Sequence, residues 1–231
     1  MRIIKFVSNK MHRGVGQPAP AKHFLPEWYR KAEQTYKSAK YNFEERAGLK
    51  KCIPYLDAMI SGYMLVFPVD VTVTKSEDGT RSITWDADQI HEAFIAERAP
   101  EMGSTMPRPP GFAPNHLVFS GIWGWKTPRG WSTLLTHPLN RQDLPFLTIS
   151  GIMDNDEFWG AGNIPFFIRE DFEGVIPKGT PFAQIIPIKR ASWKMVDNDQ
   201  GLADSLEAHA TIVREPDRTY KKTMWHRKKF N

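Results

Sequence analysis

The chain has 231 residues, with 31 Lys+Arg against 26 Asp+Glu, one cysteine, eight tryptophans and 18 prolines. That length supports a core without covalent staples, and the lone Cys52 excludes an intramolecular disulfide framework and a cysteine zinc cage. No run of about 18 apolar residues occurs, so no membrane span is expected, and the opening residues 1–7 make too short an apolar stretch for a signal peptide.

Charge is segregated along the chain. Residues 1–51 carry 12 Lys+Arg against 4 Asp+Glu, residues 214–231 carry 7 against 2, and the stretch between carries 12 against 20. Basic ends around an acidic body read either as solvated arms or as arms that touch nucleic acid or an acidic surface. The tail from Lys221 to Phe230 mixes cations with Trp225 and Phe230, which suits phosphate contact with stacking, or packing on a neighbouring protein.

In chain order, Arg2–Val7 reads as a short strand and residues 14–20 as a Gly/Pro-rich connection. Leu25-Pro26-Glu27-Trp28 opens an expected helix running to about Lys40. Tyr63–Val73 reads as strand, with Phe67, Val69, Val71 and Val73 on one side. The turn Ser76-Glu77-Asp78-Gly79 and the partner Ser82–Trp85 make it a hairpin. Asp86–Glu97 is expected as a helix through the spacing of Ile90, Ala93, Phe94 and Glu97, and the proline-rich Met102–Pro114 as a loop. Short strands are expected at His116–Phe119, Ile122–Lys126, Ser132–Thr136, Phe146–Ile149, Asn163–Ile168 and Phe182–Pro187, with a short helix at Ala203–His209. The expected division is an N-terminal basic extension with one helix (1–50), a β-domain (51–213) and a basic C-terminal tail (214–231).

Four segments in order carry the chemistry. They are Ser61-Gly62-Tyr63-Met64-Leu65; Thr127-Pro128-Arg129-Gly130-Trp131-Ser132 running on to His137-Pro138; Gly151-Ile152-Met153-Asp154-Asn155-Asp156-Glu157-Phe158-Trp159-Gly160; and Ile176-Pro177-Lys178-Gly179-Thr180-Pro181-Phe182-Ala183-Gln184-Ile185-Ile186. This order resembles the β-clip fold of the dUTPase and dCTP deaminase superfamily. The resemblance covers roughly residues 58–190 and implies a mainly β chain, with a β-clip (dUTPase-like) barrel or sandwich, a few short helices and basic terminal extensions. It also implies a homo-oligomer, with a trimer as the family pattern.

By the same resemblance Asp154 matches the aspartate that orients water or a sugar hydroxyl, and so stands as the candidate catalytic residue. Phe158, one position late, with Trp159 beside it, matches the stacking tyrosine. Gly62 and Tyr63 of the first segment and His137, Asn140 and Arg141 of the polar loop complete the ligand-binding candidates, together with Asp156. Asp154 and Asp156 are two apart, so on a strand they would face the same way, as a pair that shares a proton or a Mg²⁺ ion, or as an ordinary acidic turn. Arg141 reads equally as a phosphate ligand or as a strand-end arginine paired to Asp143. Departures from the pattern are plain: Met64 stands where the first motif has aspartate, no arginine aligns with the phosphate loop, and the glycine-rich C-terminal arm has no counterpart. Ordinary dUTPase activity is therefore not expected.

Lys50–Ala58, His137–Phe146 and Gly174–Pro187 also resemble an uncharacterised family of tailed-phage proteins encoded by T4-like phages and cyanophages. That resemblance implies the cytoplasm of an infected host or the virion, and brings no activity.

No His-x-x-x-His or His-Glu-x-x-His spacing occurs, so no metal ligands are assigned. Cys52 is expected as a small buried residue, with Lys50 and Lys51 beside it as the alternative reason for interest. Trp123 and Trp125 alternate on one strand face, as core or as a stacking platform. Two functions follow as expectations: binding of a nucleotide or other phosphorylated ligand in a degenerate site, or a virion structural or assembly role in which the fold serves oligomerisation. Nucleotide hydrolysis or deamination is third. Virion proteins, or nucleic acid at the basic termini, are the further partners expected.

Overall fold

A computed structural model describes residues 2–8, 12, 14–86, 90, 93–103, 106–160, 162–197, 201–214 and 220–231. Strands β1 (Lys5–Ser8) and β2 (Ala19–Pro20) precede α1 (Glu27–Lys31). A small hairpin, β3 (Thr35–Lys37) with β4 (Glu45–Ala47), leads to α2 (Ile53–Ile60). Next come β5 (Tyr63–Val66), β6 (Val71–Lys75), β7 (Arg81–Trp85), β8 (Ile95–Glu97) and the single turn α3 (Pro100–Gly103). The second half holds β9 (Leu117–Ser120), β10 (Trp123–Lys126), β11 (Trp131–Thr136), β12 (Phe146–Thr148) and β13 (Gly151–Met153). It continues with β14 (Asn163–Ile168), β15 (Gly174–Ile176), β16 (Pro181–Lys189) and α4 (Leu202–Arg214).

The chain is mainly β with few helices, as expected. Among the described residues the strands form separate sheets rather than a closed barrel: β13-β11-β16-β5-β2, β12-β14-β9-β8, β15-β6-β7, and two pairs. Strands alternate large apolar residues, and the three larger sheets turn those faces onto one core. Leu65, Phe182 and Ile185 come from the five-stranded sheet, Phe119, Phe146 and Phe166 from the four-stranded one, and Val71, Val73 and Ile176 from the third. Rings fill the centre edge to face: Phe67 meets Phe182 at 5.2 Å and Phe146 at 5.3 Å, while Phe119 stacks on Phe182 at 4.3 Å. Each such ring contributes about 1.5–3 kcal/mol through burial alone.

The β6–β7 hairpin forms as expected, closed by Gly79 at φ +84°, and the Asp78 carboxylate accepts from Thr80 N–H. Phe67, Val69, Val71 and Val73 are all buried, although the chain leaves one sheet after Val66 and joins another at Val71. Three expectations are corrected. The helix from Leu25 stops at Lys31, because its sparse apolar positions cannot hold it against pairing of the next segment with Glu45–Ala47. Within Asp86–Glu97, Ile95–Glu97 is strand paired to β9, and Ile90 and Phe94 anchor the connection in the core. Residues 87–89 and 91–92 of that expected helix lie outside the described residues. Cys52 is exposed, not buried, at the N-terminal end of α2.

The termini join the body. β1 pairs with β10, and β2 adds to β5 at the edge of the largest sheet. At the other end Trp225 Nε1–H and Lys228 Nζ both donate to Asp57 Oδ2 on α2, at 2.7 and 2.6 Å. The Lys22 ammonium donates to Asn231 Oδ1, and the Tyr63 hydroxyl to the Asn231 carbonyl. The two basic ends of the sequence thus meet on one side of the fold.

Candidate functional site

The third motif forms β13 and a tight turn. Beyond Met153 the chain bends, with Glu157 N–H and Phe158 N–H both donating to the Asp154 carbonyl. Asp154 and Asp156 therefore sit on a turn and not on a strand, yet they converge on one cation, Arg190, at the end of β16. Register explains the meeting: β11 pairs with β13 on one side and β16 on the other, so Ser132 and the end of β16 flank the turn.

Asp154 Oδ1 accepts from the Ser132 hydroxyl at 2.6 Å and from Arg190 Nη1 at 3.2 Å. Asp156 takes the Arg190 guanidinium on both oxygens and also accepts from Gly130 N–H at 2.7 Å. Its side chain is 1% exposed, against 64% for Asp154. The Arg190 hydrogen bonds come first in holding the Asp156 carboxyl down, at about 2, helped by the Gly130 amide. The same carboxylates raise the guanidinium's pKa. A bidentate guanidinium supplies the counter-charge that a shared proton or Mg²⁺ would otherwise supply. Among the described residues no group of three or more His, Cys, Asp or Glu converges as a metal centre.

The polar loop is turned inward. His137 Nδ1 accepts from Thr148 N–H, so the ring carries its proton on Nε2, which donates to the Arg141 carbonyl. Burial lowers its pKa and keeps it neutral. Asn140, at φ +61°, donates through Nδ2 to the Tyr55 carbonyl. Arg141 is paired with Asp143 and donates to the Phe24 carbonyl, leaving its side chain 11% exposed. None of these three meets Asp154 or Asp156 in a printed bond; they tie the loop to α2, to the α1 approach and to β12.

Gly62 and Tyr63 lie at the other end of the same sheet. Gly62, at φ +74°, passes so close to β16 that a Cβ there would stand 1.9 Å from the Ile185 carbonyl oxygen. The Tyr63 ring is set edge-on between Phe6 and Phe230. Phe158 and Trp159 are exposed, with Lys126 Nζ 5.5 Å above the Trp159 ring. Trp123 and Trp125 are core: their indole N–H groups donate to the Val15 carbonyl and the Thr133 hydroxyl.

No family model and no curated protein matches this chain. One solved structure it is similar to is a mutant dUTPase from phage phi11 of S. aureus, described with a coordinated structural Mg(II) ion. The two are 13% identical with a TM-score of 0.27, over 46% of this chain and 96% of that one. A likeness that distant carries no argument for fold or activity.

Two residues outside the expected set organise the region. Arg190 joins the carboxylates, and its only sequence mark is its place at the end of an apolar strand. Gln184, fully buried, accepts from Leu139 N–H and donates to the Ala58 and Ser61 carbonyls, stitching loop, helix and strand together. A glutamine inside a run of apolar residues is the signal that marks it.

Proposed function

We propose that this chain is a structural or assembly subunit that associates with further copies of itself through the segment after β16. The observation that carries this reading is the segment Ala191–Asp197, which leaves β16 as extended chain with Trp193 92% and Met195 97% exposed. Two large apolar side chains held fully in water on a short arm are costly in a monomer, and burying each would contribute about 1.5–3 kcal/mol.

The occupant fits a second copy, because one chain carries both halves of such a contact. The arm is anchored at its root by Arg190 on the turn after β13. Beside that root β13 is a free sheet edge with Ile152 68% exposed, and Phe158 and Trp159 follow on the same turn. An extended arm and an open apolar edge on one molecule suit exchange between neighbours. The motif resemblance to tailed-phage proteins makes purified virions the place to look for such a subunit.

A nucleotide or Mg²⁺ site at Asp154 has less support. Its carboxylate already accepts from Ser132 and Arg190, and the His137–Arg141 loop spends its polar groups on the fold. Sedimentation velocity across a concentration series tests the assembly reading. The parent chain is expected as an oligomer that Trp193→Ser/Met195→Ser converts to monomer without a change in far-UV circular dichroism. A parent chain that stays monomeric at high concentration would sink it.

A further inference from the structure

The largest cavity lies away from Asp154, between the end of α1, the start of α2 and the returning tail, with a volume of about 810 Å³. That is within the range of roughly 300–1,000 Å³ usual for small-molecule sites. Three cations line it: Lys50 and Lys51 from the turn before α2, and Lys221 from the tail. No carboxylate is among its lining residues. A groove of about 520 Å³ near β15 makes the contrast, since its arginines, Arg141 and Arg169, are each paired with an aspartate.

Lys50 and Lys51 are half-buried, which removes part of their hydration, and Lys50 spends one donor on the Arg30 carbonyl at 2.6 Å. That carbonyl is neutral, so the bond leaves the charge uncompensated. Three like charges facing one concavity are relieved by an anion of more than one charge, such as a phosphate; a single carboxylate would answer only one of them. Much of the remaining wall is apolar, with Leu25, Ile53 and Ile212 among it, and the space far exceeds a bare phosphate.

We propose that this cavity binds a small organic phosphate, the phosphate held by Lys50, Lys51 and Lys221 and the apolar body seated against Leu25, Ile53 and Ile212. The ligand therefore bridges the N-terminal third of the chain and its tail, which is how the two basic segments come to serve one site. This site is independent of the assembly arm.

Cys52 provides the test, because it lines the cavity, is exposed, and is the chain's single cysteine. The rate of maleimide labelling of the full chain is measured with phenyl phosphate, with pyrophosphate, and with sodium chloride at matched ionic strength. Phenyl phosphate is expected to slow labelling several-fold, and chloride to leave it unchanged. Titration calorimetry with phenyl phosphate should show binding weakened about tenfold by Lys50→Gln and again by Lys221→Gln, as expected for loss of a charge-assisted contact. Far-UV circular dichroism identifies any variant that fails to fold, and Lys51→Gln then replaces it. Equal slowing by chloride, tighter binding of pyrophosphate than of phenyl phosphate, or affinity unchanged in the folded lysine variants would each overturn the proposal. Binding of an oligonucleotide that leaves Cys52 labelling untouched would overturn it as well, by assigning the basic residues to an open surface.

Discussion

Arg190 holds two carboxylates that the sequence sets two positions apart, and it does so from a strand more than thirty residues away. The pair Asp154 and Asp156 is legible from sequence as a constellation, but its partner is not, because only the β11–β16 register brings Arg190 alongside. The acid response follows from the Asp156 carboxyl, whose pKa of about 2 in the fold lies below the ordinary aspartate value of roughly 4 in the unfolded chain. A depressed carboxyl stabilises the fold fully above the unfolded value and loses that contribution as pH falls toward the folded one. Thermal melts between pH 7 and pH 2 should therefore show the parent losing stability below about pH 4. Asp156→Asn should be less stable at neutral pH and should show a shallower fall across the same window. Parallel profiles for the two chains would contradict the role given to this ion pair.

Among the elements, β5 and β16 show what local pattern can and cannot specify. Strands of four or more residues with alternating burial, such as Trp123–Lys126 and Asn163–Ile168, stand out in the sequence because their period is two. The three-residue strands Ile95–Glu97, Gly151–Met153 and Gly174–Ile176 do not, since three residues hold barely one period and their partners supply the order. Ile90 and Phe94 are four apart, as in a helix, yet two anchors at that spacing serve a connection equally well. Gly62 was legible as special, though for the wrong reason: it is where one backbone passes against another. Gly62→Ala pairs a left-handed backbone, itself a cost of about 1–3 kcal/mol, with a collision against the Ile185 carbonyl. Urea unfolding should show a loss of at least that size, and a variant as stable as the parent would mean that β5 and β16 do not approach so closely.

For the molecule as a whole, the charge arithmetic separates basic ends from an acidic middle but says nothing of where those ends go. Contacts such as Trp225 to Asp57 span 168 positions, a distance over which no sequence period operates. Asp57 is the hinge of that arrangement, since its Oδ2 accepts from both Trp225 and Lys228. Removing it with Asp57→Ala should free the tail. Brief trypsin treatment, read by mass spectrometry, should then cut at Arg227, Lys228 and Lys229 several-fold faster than in the parent while the body stays intact. Equal cutting rates would show that the tail is held by other contacts.

Strand β16 occupies the middle of the five-stranded sheet, between β11 and β5, although it is the last strand made. During synthesis the chain therefore carries two incomplete sheet fragments, β2–β5 and β11–β13, each with an open edge waiting for residues 181–189. The phenylalanine core cannot close earlier, because Phe182 and Ile185 arrive on that same strand. Folding is thus gated by one late segment of high sequence separation, which places this chain among slow folders. Until that segment emerges, the two open edges are the surfaces most exposed to pairing with a wrong partner.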